Sequence, residues 1–417
     1  MNICWITPEL GTAAAEPIDS PHMALIDVRD LVDKEGNAKE RILAKIARGV
    51  ALLSENKKVV ICCDYGISRS NAIAAGILAK YKDIALNEAV RIVQKATGIA
   101  EIKLGPLNAV RAALGDCVTR SQSKPPSVLI TGASGFIGKA AKQRLEKEFS
   151  IVAPSSGSVD LESGSAQLNM AVDENNVRCL VHLANPRVYT SNRALGQTLS
   201  MLRNVLDVCV AGNITLVYPS SWEIYSGYAG SLLASESVPA FPWGPYGETK
   251  YLAEVLIDHY CRRAGLKCAI LRCCPLYGMG SERPKFIHTF MAKAIRSEPI
   301  VTHRYRNGEP SLDLMHVDDF VEAIFAAVAS DFTGTLNLGT GITTSTLAIA
   351  EMIKTLLGSS SPIEQAPIDA DTPIIAMDNR KAFETLQWQP KGTLRDGIEE
   401  LLINKGLIER RQLSHVG

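Results

Sequence analysis

The chain has no surplus of charge, no long uninterrupted apolar run and no metal-type pair of cysteines. Across 417 residues, 44 lysines and arginines balance 44 aspartates and glutamates. No broad field favours nucleic acid or an anionic membrane, so any anionic ligand must be held by local groups. The segment Met1-Asn2-Ile3-Cys4-Trp5 lacks the basic stretch and apolar core of a secretory signal. Runs such as 317–329 are broken by acidic residues and fall short of a membrane span. We therefore expect a cytoplasmic protein with no membrane or nucleic-acid partner. The 10 cysteines include the adjacent pairs Cys62-Cys63 and Cys273-Cys274 but no C-x-x-C, which suits reduced thiols and predicts no metal site. Tandem repeats are absent as well.

What is present is length and apolar material enough for two cores: 417 residues, 46% hydrophobic. Residues 1–117 alternate helix-like and strand-like patterns, and a polar, proline-containing stretch over 118–127 reads as a linker. From 128 to about 410 a second alternation of strands and helices begins, which predicts a parallel sheet covered on both faces. Its strands are expected at 128–131, 150–154, 179–184, 214–218 and 268–272, with the first helix over 137–148. The expected architecture is α/β throughout.

The first strand of that region, Val128-Leu129-Ile130, runs into Thr131-Gly132-Ala133-Ser134-Gly135-Phe136-Ile137-Gly138. Glycines between a strand and a helix let the backbone turn tightly, approach a pyrophosphate and offer helix N-terminal amides to it. The predicted cofactor-binding set here is Gly132, Ser134, Gly135, Phe136, Ile137 and Gly138. The second strand has neither an acidic residue for a ribose hydroxyl nor an arginine for a 2′-phosphate at its tip, so NAD and NADP both stay open. Asp160, with Leu161, either reaches the adenine from a following strand or is a turn carboxylate. Ala184 closes the next strand at the same edge.

Downstream, Tyr246 and Lys250 stand one helical turn apart and share a face. The ammonium can stabilise the phenolate and hold the cofactor ribose, lowering a tyrosine pKa of about 10 towards neutrality. Ser221, at the end of a strand, then binds the substrate oxygen while tyrosine moves its proton. Tyr246 and Lys250 thus count as both catalytic and cofactor-binding.

With these motifs in place, residues 128 to about 404 resemble an extended short-chain dehydrogenase/reductase of the nucleotide-sugar epimerase and dehydratase family. Leu271-Arg272-Cys273-Cys274-Pro275-Leu276-Tyr277-Gly278, Met315-His316-Val317-Asp318-Asp319, Leu336-Asn337-Leu338-Gly339-Thr340-Gly341 and Leu386-Gln387-Trp388-Gln389-Pro390 extend the likeness. The resemblance implies a Rossmann-type doubly wound sheet with a small C-terminal substrate lobe, an NAD(P) cofactor and a nucleotide-sugar substrate, with surface polysaccharide synthesis as its setting. Dehydratases of the family place an Asp-Glu pair where this chain has Trp222-Glu223. That departure favours C4 epimerisation or simple keto reduction over dehydration. The family analogy also points to a homodimer through the helices near 195–211 and 246–264.

A second element lies upstream. Lys58-Val59-Val60-Ile61-Cys62 reads as a buried strand, and Cys63-Asp64-Tyr65-Gly66-Ile67-Ser68-Arg69-Ser70 opens a helix. Backbone amides there can bind phosphate and lower a thiol pKa, Arg69 can clamp phosphate oxygens, and Cys63 can attack phosphorus. Asp64, Tyr65, Gly66, Ile67, Ser68, Arg69 and Ser70 are the predicted phosphate-binding residues. The segment resembles the loop of dual-specificity or tyrosine-type phosphatases. That likeness implies a phosphatase-like α/β domain over residues 1–117, a general-acid aspartate at Asp30 or Asp33 with Asp33 preferred, and a phosphorylated protein or metabolite as substrate. Cys62 replaces the family's usual histidine, which leaves a phosphate-sensing, non-catalytic role as the alternative.

Overall fold

The computed structural model describes residues 3–15, 23–33, 36–99, 102–115, 126–186, 191–281 and 283–409. Most of the expected linker, 118–125, and the expected end at residue 410 lie outside them.

The N-terminal region has a four-stranded sheet of β1 (Cys4–Trp5), β2 (Leu10–Ala14), β3 (Met23–Asp27) and β4 (Lys58–Cys63) in the order β1-β2-β4-β3. β4 is central and parallel to both neighbours, and β1 is antiparallel to β2. Its near-continuous apolar run suits a strand buried on both faces. Helices α1 (Lys39–Ser54), α2 (Arg69–Lys82), α3 (Leu86–Thr97) and α4 (Leu104–Leu114) complete a core that includes Ile42, Ile46, Val59, Ile61, Ile73, Ile77 and Val110. In α2 every residue from Ser70 to Ala79 is buried, because small side chains let it pass between the sheet and its neighbours.

The larger sheet has six parallel strands. Four of them are β5 (Ser127–Thr131), β6 (Ser150–Val152), β7 (Val177–His182) and β8 (Thr215–Ser221). After β9 (Gly230–Ala234), which belongs to the lobe, come β10 (Cys268–Cys273) and the strand Gly334–Leu338. From one edge the order runs Gly334–Leu338, β10, β8, β7, β5, β6. Successive side chains on a strand face opposite ways, and both faces are apolar. Val128, Ile130, Val181, Val217 and Leu271 enter one core with α5 (Phe136–Leu145), while Leu129, Leu180, Leu216 and Ile270 enter the other. On that second side lie α6 (Ala166–Glu174), α7 (Asn192–Gly212) and α8 (Pro245–Ala264).

The expected elements recur with moved ends. The helix expected over 137–148 stops at Leu145, and the strand expected over 150–154 keeps three residues before Ala153-Pro154 ends it. Residues 159–161 form no strand. The Asp160 carboxylate instead accepts from the Glu162 amide at 2.9 Å, and its own amide donates to Gln167 Oε1 at 2.7 Å. The Asp160 carboxylate thus takes part in a local turn, which competes with strand pairing.

A smaller sheet of β9 with Ser311–Asp313, Thr343–Ser345 and Pro373–Met377 forms the C-terminal lobe. Buried Asp313 is its hub, accepting from the Thr340, Gly341 and Met377 amides at 2.9, 3.1 and 3.0 Å. Asp319 accepts from the Lys391 amide at 3.0 Å, and its carbonyl takes the Trp388 indole N–H at 2.8 Å. The segments that extended the family likeness, at 315–319, 336–341 and 386–390, thus meet where Asp313 and Asp319 join the lobe to the sheet.

Among the described residues, an ion pair and a hydrogen bond join the regions. Arg91 on α3 pairs with Asp173 on α6 at 2.8 Å, and Arg111 on α4 donates to the Val210 carbonyl of α7 at 3.1 Å. No helix of the described residues is long and apolar enough to cross a membrane.

Candidate active site

The glycine turn and the Ser-Tyr-Lys group meet at the carboxyl edge of the large sheet, because β5, β7 and β8 are neighbours and all end there. Gly132 has φ +70°, and a Cβ on it would lie 2.6 Å from the Ala184 amide nitrogen, at the end of β7. A Cβ on Gly138 would lie 2.7 Å from Ala133 Cα. Both positions therefore require glycine, and the first turn of α5 is drawn tightly against β5 and β7. The Gly135 amide closes the turn on the Gly132 carbonyl at 3.0 Å. Such a cradle with a helix N-terminus beyond it fits the pyrophosphate of a dinucleotide. Ser134, Phe136 and Ile137 lie on the same turn, and Ala184 backs it. Asp160 and Leu161 sit beyond β6, the former exposed and the latter 7% exposed.

β8 ends at Ser221, 5% exposed, whose hydroxyl accepts from the Glu223 amide at 3.2 Å. Pro245 begins α8, its fixed backbone angle suiting a first helical position. Tyr246 follows, in the first turn of α8, near enough to Ser221 for the serine hydroxyl to favour the phenolate. Burial pushes that phenol well above its usual range, with Cys273, Glu223 and Tyr218 adding to the effect and the Ser221 hydroxyl opposing it. Lys250 is 8% exposed and donates to the Pro219 carbonyl at 2.7 Å and to Tyr218 Oη at 3.4 Å. Its Nζ lies 5.8 Å from the Tyr246 ring centroid. Burial lowers the ammonium to about 8. In this arrangement the lysine is tethered to β8 through the Pro219 carbonyl, with the Tyr246 ring beside it.

The sequence reading overlooked several close neighbours. Tyr218 and His182 stack at 6.2 Å beside Lys250, and burial drives His182 down to about 3, so the imidazole is neutral. Glu254, Arg272 and Tyr225 form a buried network below Ser221. Only Glu254 had a sequence signal, as a carboxylate one turn beyond Lys250. Glu223, next to the site, has its carboxyl raised by burial.

In the N-terminal region, Cys63 ends β4 and its Sγ lies 3.3 Å from Ser70 Oγ. Burial alone would raise this thiol. The Ser70 hydroxyl and the amides of Ser70, Tyr65 and Gly66 outweigh it and hold the thiol below its ordinary value. Gly66 has φ +68°, and a Cβ there would lie 2.6 Å from the Ala13 carbonyl carbon, so the loop 64–68 is moulded against the end of β2. Arg69 Nη1 donates to the Leu31 carbonyl at 2.8 Å, its Nη2 pairs with Asp64, and its Nε lies 4.0 Å from Asp33. Its guanidinium is thus engaged by the 29–33 segment and by the loop itself. Asp33 borders the loop and pairs with Lys103, whereas Asp30 is drawn to Lys45 at 2.8 Å. Burial raises the Asp33 carboxyl, but Lys103, Ser68 and Arg69 together hold it below the usual carboxylate value. Cys62 is buried, and burial raises its thiol. Ile67 and Tyr65 are exposed at the rim of the loop, and Ser68 is buried beneath it.

Residues 128–339 match the model of the NAD dependent epimerase/dehydratase family, about half of the chain. The chain belongs to this family. UDP-glucuronic acid decarboxylase 1 of Arabidopsis thaliana is 34% identical over 160 residues, which are 38% of this chain and 36% of that protein. A putative UDP-glucose 4-epimerase of Methanocaldococcus jannaschii is 27% identical over 301 residues, 66% of this chain and 97% of its own length. Among solved structures, MoeE5 in complex with UDP-glucuronic acid and NAD has a TM-score of 0.57 at 25% identity, covering 67% of this chain and 99% of that one. UDP-glucose 4-epimerase of Thermotoga maritima shares the fold, with a TM-score of 0.59 at 23% identity over 68% of this chain and 100% of that one. The epimerase/dehydratase likeness thus spans the region of the glycine turn, Ser221, Tyr246 and Lys250, and the cofactor class implied by the sequence is that of the family.

Proposed function

We propose that the epimerase/dehydratase region changes a UDP-linked sugar at C4, by epimerisation or keto reduction, with NAD(P) held over the turn at Gly132, Gly135 and Gly138. The observation that carries this reading is that Ser221, Tyr246 and Lys250 gather at the strand edge that also carries the glycine cradle, with the Lys250 Nζ 5.8 Å from the Tyr246 ring centroid. When bound, the nicotinamide supplies hydride exchange with the sugar carbon. Ser221 orients the sugar oxygen, and Tyr246 takes its proton during oxidation and returns it during reduction. The Lys250 charge lowers the cost of the phenolate, which burial otherwise disfavours. Trp222 offers no acid for dehydration, which supports epimerisation or reduction over loss of water.

The test is product analysis after incubation with NAD and, separately, UDP-glucose, UDP-glucuronic acid and UDP-N-acetylglucosamine. Conversion by the parent and none by Tyr246→Phe is the expected result. Parent-like turnover in that variant would refute the assigned proton carrier. A pentose product from UDP-glucuronic acid would move the reading to decarboxylation.

A separate observation supports a second activity, cysteine-dependent phosphate ester hydrolysis by the N-terminal region. The Cys63 thiol is buried yet held below its ordinary value by groups that would also face a phosphate. In this reading the Cys63 thiolate attacks phosphorus as the ester P–O bond breaks and the alcohol departs with a proton from solvent or an acid. Water then attacks the phosphocysteine, the P–S bond breaks and Ser70 supports the departing thiolate, while the amides of 65–70 and Arg69 hold the oxygens. The phosphate dianion displaces Asp64 from Arg69. Hydrolysis of para-nitrophenyl phosphate by the parent and none by Cys63→Ser is expected. Equal rates would leave phosphate sensing as the role of this loop.

A further inference from the structure

A buried carboxylate–guanidinium pair underlies the hydride site. Glu254 is 7% exposed and stands one helical turn after Lys250 on α8. Its carboxylate accepts from Arg272 Nε at 3.1 Å and Nη2 at 2.6 Å, and from the Ser220 hydroxyl. Arg272 Nη1 donates to Tyr225 Oη at 2.6 Å, and that hydroxyl donates to Asn337 Oδ1 at 3.3 Å. One connected network therefore joins α8, β8, β10, the short turn Trp222–Tyr225 and the strand Gly334–Leu338. A buried ion pair contributes little net stability, because desolvation offsets the attraction. Its effect is to fix geometry and field, and this pair does so at the residues on either side of the proton path.

We infer that Glu254 is a positioning residue: held by Arg272, it fixes Ser220 and so Ser221 at the end of β8, and its charge sustains the ammonium of Lys250. The inference rests on the Ser221–Tyr246–Lys250 reading above. The groups facing Lys250 are Tyr218 and the Pro219 carbonyl from β8, His182 from β7, Cys273 from β10, and Tyr246 and Glu254 on its own helix. Burial keeps His182 neutral and raises the Tyr218 phenol and the Cys273 thiol, so all three are uncharged near neutrality. Among these groups Glu254 is the anion that favours the ammonium, and Arg272 behind it is the cation left uncompensated when Glu254 is neutralised. Neutralisation therefore lowers the Lys250 pKa.

The experiment is 13C NMR of the full chain labelled at lysine Cε, with Lys250 assigned through Lys250→Arg, alongside kinetics on whichever UDP-sugar of the panel the parent converts. The parent lysine should titrate near 8, and Glu254→Gln should move it down by about one pH unit. The alkaline limb of turnover should move with it, and kcat should fall about tenfold while KM and NAD affinity hold. Glu254→Asp should recover part of both losses. Ser220→Ala, which cuts the tie to β8 without burying a lone charge, should lower kcat and leave the lysine titration in place. An unmoved Lys250 titration in Glu254→Gln overturns the inference, as does a variant that loses thermal stability and NAD affinity with no shift in titration. If the parent converts no UDP-sugar, the proposed function fails, and the NMR titration still decides the role of Glu254.

Discussion

The two candidate sites share one device, a strand that ends in a glycine turn moulded against the end of a neighbouring parallel strand. Gly66 presses on Ala13 at the end of β2, and Gly132 presses on Ala184 at the end of β7. Burial acts on the reactive groups beyond these turns with opposite results. At Cys63, neighbouring amides and the Ser70 hydroxyl overcome it, and the thiol falls below its ordinary value. At Tyr246 burial prevails over the Ser221 hydroxyl, and the phenol rises. The first site is tuned by groups within eight residues of its nucleophile. The second is surrounded by groups from far along the chain: Ser221 on β8, Cys273 on β10 and Lys250 on α8.

The largest effect that would break this comparison is loss of the nucleophile. Cys63→Ser should abolish para-nitrophenyl phosphate hydrolysis while leaving UDP-sugar conversion at the parental rate, as measured on the same preparation. Tyr246→Phe should do the converse, lowering UDP-sugar turnover by about 10²–10⁴-fold without touching the phosphatase assay. Cross-effects in either variant would mean that the two regions do not work separately.

A smaller effect addresses the glycine turns themselves. Gly132→Ala places a Cβ at positive φ against the Ala184 backbone, and should cost about 1–3 kcal/mol together with NAD affinity. Thermal melts with and without NAD would measure both.

The tuning of Cys63 can be sharpened by pH. The thiolate is the reactive form, so alkylation by iodoacetamide should rise with pH with a midpoint below that of an ordinary thiol, since the Cys63 pKa is lowered. Ser70→Ala removes a bond to the charged form and should move that midpoint up by about one unit. The smallest change concerns Asp33. Its carboxyl is held low by Lys103, Ser68 and Arg69, so it is ionised at neutral pH and a poor proton donor there. Asp33→Asn should leave para-nitrophenyl phosphate hydrolysis almost unchanged, because that leaving group needs no proton; with an alkyl phosphate, whose leaving group needs one, a large loss would support Asp33 as the general acid and an unchanged rate would exclude it.

Local chemistry explains why much was legible from residues alone. The glycine turn after an apolar strand, the helix-spaced Tyr246 and Lys250 and the Cys63–Arg69 loop are each decided by neighbours in the chain. The element ends and Asp160 were not, because a short turn to the Glu162 amide and the Gln167 side chain satisfies groups that a strand would otherwise have paired, and the choice between such turns and a strand is made by the surrounding fold. The lobe motifs were recognisable as a pattern, but their work as Asp313 and Asp319 hydrogen-bond hubs was not.

The sequence by itself determined the α/β alternation, the family of its larger region and the motifs from which the hydride site is proposed, since periodicity and short motifs are properties of contiguous chain. Tertiary structure decided the electrostatics. Whether a phenol, a thiol or an ammonium is raised or lowered depends on burial and on partners far away in the chain, such as Glu254 and Arg272 beneath Lys250, and those distances exist only once the sheet has formed.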